Sequence, residues 1–121
     1  MAGVRVIVTL NFPTPEVADQ ALGGMVQAFK PVKQEPGAVQ YELFRSVEDP
    51  RRVILMEHWA SRELYDQHWL TQMREQGAPD QEQAKLLNPT FEFYPHADYD
   101  LVDQIWQPLD PAQRLTTIRW A

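Results

Sequence analysis

PGAVQYELFRSVEDPRRVILMEHW, residues 36–59, decides the fold. Pro36-Gly37 is a turn signal. Behind it the side chains alternate, with Val39, Tyr41 and Leu43 on one side and Gln40, Glu42 and Phe44 on the other, so residues 38–46 read as a strand. Glu48-Asp49-Pro50-Arg51 makes a turn. Residues 52–59 make a second strand, with Val53, Leu55, Glu57 and Trp59 on one face and Ile54, Met56 and His58 on the other. Two such runs joined by a turn form a β-hairpin with a longer loop. Both faces of the second strand are largely apolar, which predicts that both are covered.

Upstream, residues 4–10 are rich in β-branched side chains and read as a first strand. Thr14 suits an N-cap and Pro15 the first helical position. The spacing of Ala18, Ala21, Leu22, Met25, Val26 and Phe29 predicts a helix over 15–29 with one apolar stripe. Gly23 and Gly24 weaken it by about 1 kcal/mol each relative to alanine. Pro31 ends it. Downstream, Ser61 caps a second helix running to about residue 74, with Glu63 favourably placed in its first turn. Leu64, His68 and Gln72 share one line down this helix, and Tyr65, Trp69 and Met73 lie beside them. A short helix over 80–87 and a strand over 90–94 follow.

The order β-α-β-β-α-β defines an α+β, ferredoxin-like split sandwich, a four-stranded antiparallel sheet with both helices on one face. Its other face would be bare in a monomer, and two such faces packed together would cover each other, so a homodimer is expected. Residues 1–96 complete this domain. Residues 97–121 are expected to be an ordered extension, because linkers do not normally carry Trp106, Ile118 and Trp120. Within it, residues 98–105 read as loop or short helix, Pro108 and Pro111 bracket a turn, and residues 115–120 read as a fifth strand contacting the sheet or the partner.

The 121 residues include no cysteine, which excludes disulfides and thiolate metal sites. Seventeen acidic residues against eleven basic ones give a net charge of -6 and argue against a nucleic acid partner. No signal peptide and no membrane-spanning run are present, so the expected location is cytoplasmic, away from the membrane. Three histidines at 58, 68 and 96 form no cluster by sequence, and no metal is expected. There is no glycine-rich strand-to-helix loop for a nucleotide, and no cofactor is expected.

The run 36–46, then Asp49-Pro50, Leu55-Met56-Glu57-His58-Trp59, Ser61-Arg62-Glu63-Leu64 and His68, resembles the antibiotic biosynthesis monooxygenase domain family. The resemblance covers residues 4–94 and implies a dimeric α+β barrel. It implies a cofactor-independent monooxygenase acting on a quinol or polyketide-type phenol. A non-catalytic aromatic-ligand binding or regulatory dimer, and an isomerase on the same fold, are the alternatives. The second histidine of quinol-type members is replaced near Met73. Asn11 lies at the end of the first strand, where the haem-degrading branch places an asparagine along the strand, and this disfavours haem degradation.

His68 and Trp59 are the expected catalytic pair. A neutral imidazole can accept a phenol proton, and Trp59 can wall the same pocket. Each has a plain structural alternative, a satisfied inward histidine and a core aromatic. Glu57, on the face of Trp59, would be a buried carboxylate able to orient His68 or pair with an arginine. Tyr41, Tyr65, Trp69 and Asn11 complete the expected substrate-binding set, with packing or backbone anchoring as the alternative for the aromatics.

Overall fold

Hydrophobic alternation at period two and capped helices at period 3.6 produce the expected elements in the computed structural model, which describes residues 3–77 and 81–113. They are β1 (Gly3–Asn11), α1 (Pro15–Phe29), a short 3-10 helix (Pro31–Gln34), β2 (Ala38–Arg45), β3 (Arg52–Trp59), α2 (Arg62–Gln76), α3 (Gln81–Leu87), β4 (Thr90–His96), β5 (Tyr99–Val102), β6 (Ile105–Pro108) and a 3-10 turn (Pro111–Gln113). Four strands form one antiparallel sheet in the order β2-β3-β1-β4. The central strand β1 pairs with β3 from Val4↔Trp59 to Asn11↔Arg52, and with β4 from Gly3↔His96 to Thr9↔Thr90. The fold is the α+β ferredoxin-like one.

Thr14 Oγ1 accepts the Val17 N–H at 3.1 Å and Ser61 Oγ accepts the Leu64 N–H at 3.2 Å, so both long helices begin at their expected caps. The helices cover one sheet face. Val4, Val6, Val8, Tyr41, Leu55, Trp59 and Tyr65 form the larger core cluster there, and Phe12, Ala18 and Val53 the smaller. Gly37 pins α2 to the start of β2. Its φ of 80° favours glycine, its carbonyl accepts the Ala60 N–H at 2.8 Å, and a Cβ there would collide with the Leu64 side chain.

The opposite face has no described helix on it. Half-buried Ile7, Ile54 and Met56 and exposed Phe44 lie there beside a polar belt. Arg5 donates to Gln40 Oε1 at 2.8 Å and to His96 Nδ1 at 3.1 Å, and His96 Nε2 meets Asp98 Oδ1 at 2.9 Å. The His58 and His96 rings lie 4.2 Å apart, so two histidines that are remote in sequence do form a pair. The registers Arg5↔His58 and Gly3↔His96 cause this, because β1 stands between the two strands. Burial, then His96 and Arg5, hold His58 below its usual value.

Other departures are local. Pro31 begins a 3-10 helix as well as ending α1, as its fixed φ allows. Val26 is exposed rather than part of the stripe. Residues 99–102 form a strand rather than loop or short helix, since β5 and β6 make a hairpin. Asp103 and Gln104 both take positive φ, 51° and 67°, the two-residue geometry that matches strand twist. Neither residue carries the usual Asn-Gly signature, which hides the turn in the sequence. The expected strand over 115–120 lies outside the described residues.

A Cβ at Gly24 would meet nothing within 4 Å. Gly24→Ala is therefore expected to stabilise the protein by about 0.5–1 kcal/mol, whereas Gly37→Ala should destabilise it by more than about 1 kcal/mol. Urea unfolding of the two variants checks both signs.

Candidate active site

A cavity of about 440 Å³ opens between the end of α1, the 3-10 helix and α2, with Phe29, Val32, Glu35, Tyr41, His68 and Thr71 among its walls. That volume suits a small aromatic molecule. His68 is 6% exposed, one helical turn below Leu64 on the face of α2 that meets the sheet. Its ring stacks on Trp59 with centroids 4.8 Å apart and meets the edge of Tyr41 at 5.5 Å. Nδ1 lies 2.9 Å from Glu35 Oε2 and 3.2 Å from Oε1. Nε2 of His68 and the Tyr41 hydroxyl make no hydrogen bond within the described residues. No sealed side-chain nitrogen or oxygen there is left unpaired, so both atoms are reached by solvent, and the cavity is the space both residues line.

Two carboxylates govern the electrostatics. Burial, then the charges of Glu57 and Glu35, hold the Tyr41 phenol far above its usual range. The hydroxyl is a hydrogen-bond donor throughout the working pH range. Burial, then Glu57, pushes Tyr65 up to about 12. Burial raises Glu57 itself to about 7, against the Trp59 indole N–H that donates to its Oε1 at 2.8 Å, with Glu35 adding to the rise.

The expected residues divide by position. His68 and Tyr41 line the cavity. Trp59 is fully buried and lies behind the imidazole rather than in the cavity wall. Glu57 lies beneath Trp59 and bonds to it, and the partner of His68 is Glu35 instead. Tyr65 packs between Trp59 and Phe93, and Trp69 packs on Phe91. Asn11 sits opposite Arg52 on the uncovered side of the sheet, away from the cavity. The sequence reading missed Glu35, Phe29 and Val32. Glu35 directly precedes Pro36-Gly37 and reads as a turn residue, and only the 3-10 helix turns it towards α2. Among the described residues no group of three or more histidine and acidic side chains could hold a metal, and no helix is long and apolar enough to cross a membrane.

The site is thus a histidine-bearing aromatic cavity on the helix-covered side of a ferredoxin-like sheet. Residues 4–74 match the family model for antibiotic biosynthesis monooxygenase, and the chain belongs to that family. Solved structures agree on the fold. One, from Deinococcus radiodurans and assigned to the antibiotic biosynthesis monooxygenases, is 20% identical with a TM-score of 0.59, over 83% of this chain and 96% of that one. Another antibiotic biosynthesis monooxygenase is 25% identical with a TM-score of 0.56, over 75% of this chain and 95% of that one. A heme-degrading protein of Mycobacterium tuberculosis is 17% identical with a TM-score of 0.54, over 78% and 92%. Comparison with curated proteins gives no match.

Glu57 links stability to pH. Its folded value lies above the ordinary 4.5, at about 7, so its contribution is complete below about pH 4.5 and is lost as pH rises through 7. The loss amounts to about 3 kcal/mol. Glu57→Gln keeps an acceptor for the indole and removes the charge. Denaturation midpoints between pH 5 and 8 should fall with pH in the native protein and flatten in the variant.

Proposed function

We propose that this chain is a cofactor-independent monooxygenase acting on an electron-rich aromatic, a quinol or a polyketide-type phenol, and that it works as a homodimer. The observation that carries the reading is the cavity in which a Tyr41 hydroxyl and a His68 Nε2 without a hydrogen-bond partner among the described residues meet apolar walls from Phe29 and Val32. In this reading His68 Nε2 takes the proton of the bound phenol, and the Tyr41 hydroxyl donates to the resulting oxyanion. The electron-rich anion gives an electron to dioxygen, oxygen adds to the ring system, and loss of water leaves a carbonyl. For an anthrone-type phenol a ring methylene and dioxygen thus become a carbonyl and water, with no external reductant; a quinol gives up two electrons and two protons to dioxygen and leaves as the quinone, with hydrogen peroxide as the other product. Trp59 backs the imidazole and holds its plane.

The uncovered sheet face supports the dimer. So do the exposed Tyr99, Leu101, Ile105 and Trp106 of the β5–β6 hairpin, which begins the extension 97–121 and which a partner subunit would cover. Sedimentation at micromolar concentration should show a species of twice 14.1 kDa. A monomer alone would remove this part of the reading.

Oxygen uptake with a panel of hydroquinones and anthrones tests the chemistry. His68→Ala should lower turnover roughly 10²-fold, and Tyr41→Phe should lower kcat by a similar factor. Saturable binding of the panel with no oxygen uptake would instead make this a ligand-binding dimer.

A further inference from the structure

We infer that Glu35 is a positioning residue which fixes the tautomer of His68 and that, with it, the cavity takes an uncharged phenol and ionises it inside. This rests on the oxygenase reading above. Among the described residues the walls of the cavity carry two acidic side chains, Glu35 and Glu75, and no lysine or arginine. A substrate that arrives as an anion meets like charge in a half-buried space and is disfavoured. The phenol therefore enters neutral, and its proton has to leave within the cavity.

Glu35 supplies the means. Both of its oxygens lie within hydrogen-bond distance of one ring nitrogen, Nδ1, at 2.9 and 3.2 Å. A carboxylate only accepts, so Nδ1 carries the ring proton and Nε2 keeps its lone pair. That nitrogen has no partner within the described residues. The ring cannot turn away, because Trp59 stacks on it and Tyr41 and Tyr65 approach from the sides. When Nε2 gains the phenol proton, the imidazolium lies against the Glu35 carboxylate, which stabilises it. The proton is conserved: a neutral phenol and a neutral imidazole become a phenolate and an imidazolium, with Glu35 ionised throughout. Glu57, the buried carboxylate beneath Trp59, accepts from the indole, and among the described residues Nδ1 of His68 meets Glu35 instead.

A carboxylate that merely ties the 3-10 helix to α2 would give the same contact, so the test reads the tautomer directly. Nitrogen-15 NMR of histidine-labelled protein at neutral pH, with His68→Ala used to assign the resonance among three histidines, should show Nδ1–H and a free Nε2. In Glu35→Gln the amide can donate to Nδ1, and the population should shift towards Nε2–H. A native Nε2–H form, or an unchanged tautomer in Glu35→Gln, overturns the inference. In turnover of a responsive quinol, Glu35→Gln should lose at least roughly tenfold in kcat with KM within about twofold, and Glu35→Asp should restore part of it. A change confined to KM, or to melting temperature, also overturns it. If the native protein oxidises no member of the panel, the oxygenase reading fails while the NMR measurement still decides the role of Glu35.

Discussion

The indole of Trp59 holds the interior together. It is wholly buried, and it must place one N–H in a region that the helices seal from water. Two residues back along the same strand face, Glu57 offers the acceptor. That single bond satisfies the indole and gives a buried carboxylate one partner, so a polar pair can occupy a hydrophobic core. The flat face of the same indole then provides the surface on which His68 stacks, and its edges receive Tyr41 and Tyr65. The orientation of each polar aromatic in the cavity is thus set by a residue outside it.

Buried charge has a second effect here. Glu35 adds to the cost of ionising the buried Glu57, and both carboxylates add to the cost of ionising Tyr41. The cavity consequently contains a donor that stays a donor beside a histidine held by a carboxylate. Fixed polar groups in a partly dry space act more strongly than the same groups in water, because no reorientation is needed when charge develops.

Much of this architecture was legible in the residues. The boundaries of α1 and β3 follow directly from a Thr-Pro cap and from strict alternation, signals that are local and chemically simple. The ferredoxin-like order follows from them. The inward placement of His68 was legible because a helix line from Leu64 has only one apolar face to follow. What escaped were relations between distant segments. Glu35 belongs to a turn by every local criterion, and its meeting with His68 depends on how a 3-10 helix packs against α2. The pairing of His58 with His96 needs the strand order, which no single segment encodes. The hairpin over 99–108 was hidden by a turn made of Asp103 and Gln104, residues that tolerate left-handed backbone without advertising it.

The strand order also bears on how the protein is made. β1 leaves the ribosome before both of the strands that flank it, so its two edges are satisfied late. One edge waits for residues 52–59, and the other waits for residues 90–96, where Gly3 meets His96. During synthesis the valines of β1 are exposed while most of the chain is still being assembled, and only the local helix α1 and the β2–β3 hairpin can form ahead of it. Pairings that span so much of the chain slow folding and lengthen the interval in which an apolar strand can meet the wrong neighbour. A truncation anywhere before β4 would leave one edge of β1 unpaired, so the seven residues of a strand beyond the family-matched segment are what closes the sheet on that side.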